Sequence, residues 1–167
     1  TPRNLIDDAR AAYANALLWR VSGESQHAQT SRQIIQAWSG TLTTILNQNG
    51  QPMSGADARQ DYMLYTSYSW PALIWAAEIL RSDPAATGWT PADQTAFSQL
   101  LKQVVRPAAE HPNNNLGNNW ASWRIAYKIS DAVFTDDTAR FEQALNEFRT
   151  QVASYLGPQL HGEMGRD

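Results

Sequence analysis

Cysteine is absent from the 167-residue chain. Its absence excludes disulfide bonds, a thiolate nucleophile and any cysteine-ligated metal. The chain also lacks a run of five or more Lys or Arg residues, which argues against a nucleic-acid-binding surface. The longest apolar runs fall far short of the roughly 20 residues that a membrane-spanning helix needs. We therefore expect neither a nucleic acid nor a membrane as a partner.

The composition that is present is typical of a folded globular protein, with 43% hydrophobic and only 17% charged residues. The length suits one domain with one core. The formal net charge is −3, so any anion-binding site must be local, because the whole molecule does not attract a polyanion. The seven tryptophans indicate either a large core or flat platforms for the apolar faces of sugar rings.

Apolar residues recur at three- and four-residue steps along most of the chain, which predicts helices. Sustained alternation is absent from the sequence, so we expect no sheet. The periodic segments cover residues 5–22, 24–48, 59–81, 91–107, 119–134 and 138–156. Short links between such segments predict an all-α fold of antiparallel helical hairpins.

Several residues predict where these helices begin and end. Gly23 is expected to close the first helix in the left-handed conformation. Thr90 is expected to cap the fourth helix, followed by a proline and an acid. Pro71 should kink the third helix or mark its true start. Pro107 and Pro112 should bracket the frayed end of the fourth, and Pro158, after a glycine, should end the sixth.

Residues 111–119 are rich in Asn and run into the fifth helix. Asn118 and Asn119 can be read as ordinary turn and N-cap residues. Their position also permits a binding role, because a helix N-terminus presents free backbone donors and a partial positive charge. Trp120 and Trp123 lie near the same helix end and either pack in the core or form the floor of a sugar site.

Glu163 and Arg166 lie three residues apart in a glycine-flanked tail. A surface ion pair is the ordinary interpretation, worth under ~1 kcal/mol. The glycines predict a loose backbone in place of a helix. A glutamic acid that stays protonated could instead donate a hydrogen bond to a sugar carboxylate. We expect Asn119 and Glu163 to converge on one such carboxyl group.

The three histidines lack the i, i+4 spacing of a zinc-binding helix, so we expect no metal and no cofactor.

Five segments, residues 11–19, 22–25, 34–38, 70–80 and 118–123, together resemble the N-terminal half of the alginate-lyase-like superfamily of polysaccharide lyases. The resemblance spans most of the chain. It implies that residues 1–167 are the N-terminal portion of a single catalytic domain folded as an incomplete (α/α) toroid. It also implies β-elimination of a uronate-containing polysaccharide.

Residues 162–167 resemble the Glu-x-x-Arg-Asp-x-x-His motif of the glucuronan lyase branch, polysaccharide lyase family 38. Alginate lyases carry a His after the Asn pair where this chain has Trp120, which favours the glucuronan branch. The resemblance implies catalytic roles for Asn119, Glu163 and Arg166. The residues that we expect to contact substrate are Asn118, Trp120, Trp123, Tyr68 and Trp70.

The resemblance further implies that a catalytic His and Tyr follow Asp167 in the family pattern. We therefore expect the C-terminal remainder of the polypeptide as a second chain, and no turnover by residues 1–167 alone. We also expect an acidic polysaccharide as the partner and a secreted or periplasmic location.

Two other functions fit the same residues. The first is a non-catalytic helical carbohydrate-binding domain, in which the Asn loop and the tryptophans hold sugar without cleaving it. The second is an (α/α) glycoside hydrolase, which needs two carboxyl groups at the scissile bond. Glu163 would be one of them, with Asp57, Asp61 or Asp167 as its mate.

Overall fold

A computed structural model describes residues 2–46, 50–53, 60–110 and 119–164, with side chains described over 4–46, 50–53, 64–110 and 119–154. The regular elements are α1 (Pro2–Ser22), α2 (Ser25–Thr41), α3 (Gln60–Arg81), α4 (Pro84–Thr87), α5 (Pro91–Leu100), a π-helical turn (Leu101–Val105), α6 (Arg106–Ala109), α7 (Asn119–Phe134) and α8 (Thr138–Met164). The all-α class is confirmed. The toroidal arrangement of the helices stays a prediction. No helix in the described part of the chain is long and apolar enough to cross a bilayer.

Helix α3 lies at the centre of the packing, with α1 against one side and α7 against the other. Helix α2 packs on α1, and α8 packs on α7. Small residues line the buried face of α1, where Ala9, Ala12 and Ala16 are each at most 1% exposed. Such small side chains let two helices approach closely. The core then fills with large aromatic side chains, among them Phe97 and Phe134, whose rings meet edge to face at 5.1 Å.

The predicted caps are confirmed at two places. Gly23 follows α1 with φ +74°, a conformation that glycine adopts without steric cost. Thr90 begins α5 with a capping box, in which its hydroxyl accepts from the Asp93 amide at 3.2 Å and the Asp93 carboxylate accepts from the Thr90 amide at 2.8 Å. Pro71 lies inside α3.

The end predicted for the second helix is wrong. Helix α2 stops at Thr41, Leu42 is extended, and Leu46 forms an isolated bridge with Pro52. Residues 41, 43, 44 and 45 are all Thr or Ile, and β-branched side chains favour extended backbone. The link predicted between the periodic segments 24–48 and 59–81 lies partly outside the described residues.

The helix that begins at Pro91 ends at Ala109, between Pro107 and Pro112 as predicted, whereas Pro158 does not end its helix. The chain stays helical from Pro91 to Ala109, with a π-helical turn just before Pro107. In a regular α-helix the Pro107 ring would collide with the carbonyl of residue 103, and the wider turn lies where that collision would occur. Helix α8 runs through Pro158 to Met164, because one missing donor removes a single intrahelical bond and leaves the neighbouring bonds in place.

A buried ion cluster ties α6, α7 and α8 together. The fully buried Asp131 accepts from Arg106 Nε at 2.7 Å and from Arg140 Nε at 2.6 Å, both at its Oδ2 atom. Arg140 also pairs with Glu110 at the end of α6. Burying several charges costs desolvation energy that their mutual attraction only partly offsets, so the cluster fixes geometry more than it adds stability.

Candidate active site

An aromatic cavity of about 220 Å³ opens where α1, α3 and α7 meet. Tyr68 and Trp75 line it from α3, and Trp123 lines it from α7. The Tyr68 and Trp123 ring centroids lie 6.1 Å apart, and the Tyr65 ring centroid lies 5.6 Å from that of Tyr68. Flat rings of this kind bury the apolar face of a sugar.

Hydrogen bonds and ring contacts hold the walls of this cavity in place. Trp75 Nε1 donates to Ser130 Oγ of α7 at 2.9 Å, which fixes the α3–α7 distance. The Trp75 ring also packs edge to face on Tyr13 of α1 at 5.6 Å. The site is therefore built on packed helices, and a sugar ring would meet a preformed surface.

Asn119 is the first residue of α7 and is exposed. Trp123 follows it by four residues, so the two side chains lie on one face of the helix, one turn apart. Because Trp123 contacts Tyr68, this face looks toward the aromatic cavity. The first turn of α7 and the aromatic rings thus belong to one surface.

Arg10 of α1 lines the same cavity, and sequence reasoning missed it. Its side chain is exposed and forms no ion pair with a described acid. Burial and the neighbouring Tyr65 raise the pKa of Tyr68, while the positive charge of Arg10 lowers it. This opposing effect places the guanidinium near the phenol. A sequence signal existed, because Arg10 lies one turn from both Ile6 and Tyr13, at the edge of the apolar stripe of α1.

The structure separates the residues that were predicted to contact substrate. Tyr68 is half-buried and Trp123 is 41% exposed, and both line the cavity. Trp120 is half-buried on α7 and is not among the cavity-lining residues. Asn118 lies outside the described residues.

The prediction that Trp70 contacts substrate is wrong for this structure. Its side chain is 0% exposed and belongs to the main hydrophobic core. The Trp70 ring packs edge to face on Trp38 at 6.3 Å. Trp70 follows Tyr68 by only two residues, and in a helix that step turns the side chain to a different face.

Glu163 lies within α8, so the expected loose backbone at this position is wrong, although its side chain is outside the described set. Helix α8 runs antiparallel to α7, since Gln151 Nε2 donates to Ser122 Oγ at 3.0 Å while Lys128 pairs with Glu147. From Gln151 to Glu163 a regular helix rises about 18 Å. Asn119 precedes Ser122 by only about 5 Å of rise.

The convergence of Asn119 and Glu163 on one carboxyl group therefore stays a prediction, which requires α8 to bend back toward α7. Arg166 lies outside the described residues. The described residues contain no group of three or more His, Asp or Glu side chains that could hold a metal.

A family model described as alginate lyase matches residues 2–159 of the chain. The chain belongs to the alginate lyase family. Membership in this family supports a polysaccharide lyase function in general terms and leaves the choice between alginate and glucuronan open. No curated protein and no solved structure matches the chain.

Proposed function

We propose that the protein cleaves a uronate-containing polysaccharide, glucuronan-like or alginate, by β-elimination. Family membership supports the reaction class. The observation that carries the proposal is the cavity lined by Arg10, Tyr68 and Trp123, with Asn119 one helical turn before Trp123. Stacking rings suit the sugar, and the helix N-terminus with a cation suits its carboxylate.

The chemistry requires charge stabilisation at that carboxylate. A base removes the proton at C5, the C4–O bond breaks, and the electron pair of the C5–H bond becomes the C4–C5 double bond. An acid protonates the departing oxygen. While the C5 proton leaves, negative charge builds on the adjacent carboxylate, and donors aimed at it stabilise the transition state by about 3–4 kcal/mol each.

In this proposal Asn119 is one such donor, and Glu163 and Arg166 are the others. We assign the base and the acid to no described residue. The proposal includes an acidic polysaccharide as the partner, and a secreted or periplasmic location that cell fractionation would test.

The direct test is incubation of the protein, with the predicted second chain present, with glucuronan, alginate and a mixed uronan while the ultraviolet absorbance of the unsaturated uronate is followed. Asn119→Ala should lower kcat by about 10²–10³. Asn146→Ala is the matched control, because it removes the same amide from an exposed position on α8. A protein that releases no unsaturated product from any of the three polymers is not the proposed lyase.

A carbohydrate-binding domain without catalysis is the second candidate. The exposed rings of Tyr65 and Trp123, at 45% and 41%, favour it because stacking alone binds sugar. Glu163→Gln separates the two functions. A lyase should lose rate by orders of magnitude and keep its affinity, whereas a binding domain should show no rate to lose.

A further inference from the structure

The exposed aromatic surface is longer than the cavity around Tyr68. Tyr65, Tyr68 and Trp75 succeed one another along α3 at steps of three and seven residues, which keeps them on one face. In a regular helix this stripe is about 15 Å long. Tyr65 and Trp75 remain 45% and 39% exposed. The stripe is therefore longer than one sugar ring and suits a polymer.

Arg10 differs from the arginines that stabilise the fold. Arg81, Arg106 and Arg140 each donate to a carboxylate of a neighbouring residue or helix. Arg10 donates to none of the described acids and instead borders the cavity beside Tyr68 and Trp123. The nearby Asp8 accepts from Trp38 Nε1 at 3.1 Å. A guanidinium that pairs with no described carboxylate can bind one that arrives with a ligand.

The geometry suits a uronate residue in particular. A pyranose stacked on an aromatic ring presents its carboxylate at the ring edge, where a side chain from an adjacent helix can reach it. Guanidinium binds carboxylate through two parallel hydrogen bonds, which a neutral hydroxymethyl group cannot accept in the same way. Arg10 approaches from α1, while the rings come from α3 and α7.

We propose that Arg10, together with Tyr68 and Trp123, forms a subsite that binds the carboxylate of one uronate residue of the polymer and selects charged over neutral polysaccharides. The subsite rests on the proposed function for its ligand class. Arg10 acts in it as a specificity-determining residue and takes no part in the elimination.

The experiment compares Arg10→Gln and Arg10→Lys with Arg20→Gln. Arg20 is an exposed arginine on the same helix and is not among the cavity-lining residues, so its variant loses the same charge elsewhere. All three changes are made in an Asn119→Ala background that keeps the polymer intact. Calorimetry then gives the affinity for a glucuronan oligosaccharide and for its carboxyl-reduced form.

Arg10→Gln should weaken binding of the glucuronan oligosaccharide by about tenfold or more and leave binding of the carboxyl-reduced form unchanged. Arg10→Lys should recover part of the loss, and Arg20→Gln should bind both forms like the parent. Circular dichroism confirms that each variant is folded.

The proposal is overturned if Arg10→Gln matches Arg20→Gln, or if it weakens both sugar forms equally. These outcomes are distinct from failure of the lyase assignment. A wild-type protein that releases no unsaturated product, yet loses charge discrimination in Arg10→Gln, would refute the elimination and support the subsite.

Discussion

Trp70 and Trp123 are the sharpest contrast between packing and binding in this protein. Both were candidates for sugar contact, but Trp70 is 0% and Trp123 is 41% exposed. Trp70→Ala removes a fully buried indole and leaves a cavity, which should lower the free energy of unfolding by about 3–5 kcal/mol. For a chain of this length that loss lowers Tm by about 6–20 °C.

Trp123→Ala should change the free energy of unfolding by less than the core substitution, because much of its ring already meets solvent. It should weaken sugar binding instead, since it removes one stacking surface beside Tyr68. Trp70→Phe is a milder companion variant. The Trp70 indole N–H makes no hydrogen bond to a described residue, so phenylalanine loses volume and no polar contact.

Urea unfolding followed by far-ultraviolet circular dichroism measures the stability of each variant, and polysaccharide affinity electrophoresis measures its binding. We expect Trp70→Ala to lose stability and Trp123→Ala to lose sugar binding. A Trp70→Ala protein that unfolds like wild type but no longer binds uronan would refute the assignment of Trp70 to the core.

Two further predictions concern backbone strain and pH. Gly88→Ala should lower the free energy of unfolding by about 2 kcal/mol, because Gly88 has φ +67° and an added Cβ would collide with the Arg32 guanidinium. Gly40 lies in open space on α2, so Gly40→Ala should leave the free energy of unfolding unchanged or raise it by up to about 1 kcal/mol. Equal urea midpoints for the two variants would contradict this. Burial raises the pKa of Asp131 from 3.8 to about 6, so the folded chain keeps a proton that the unfolded chain has released. The free energy of unfolding should therefore fall as pH rises through about 6. The contribution of Asp131 to this loss is up to about 3 kcal/mol. Asp131→Asn should flatten that slope in urea titrations at several pH values, and an unchanged slope would show that Asp131 does not titrate in this range.

The fold was predictable wherever local chemistry decides the structure. Helix α7 begins and ends at the predicted residues, and the capping box at Thr90 is present as expected. The helix end predicted at Pro158 was wrong, because a single missing donor there competes with the rest of the helix. The hydrogen bonds of the neighbouring turns decide whether the helix continues past the proline. A rule based on the proline alone does not include them.

The candidate site was only partly predictable, for a related reason. Asn119 and Trp123 could be found because they lie close together in sequence. The position of Arg10 at the edge of an apolar stripe was only a weak signal, since 113 residues separate it from Trp123 and only the packing of α1 and α7 against α3 brings them together. Trp70 was misassigned because the sequence does not say which face of α3 is buried.

The Asp131 cluster has a consequence for how the molecule opens. Two arginines from different helices share one carboxyl oxygen, and one of them also holds the last residue before the Asn-rich segment. Separating any one of these helices breaks contacts made by the other two. Amide hydrogens in α6, α7 and the first half of α8 should therefore exchange with solvent as one cooperative unit.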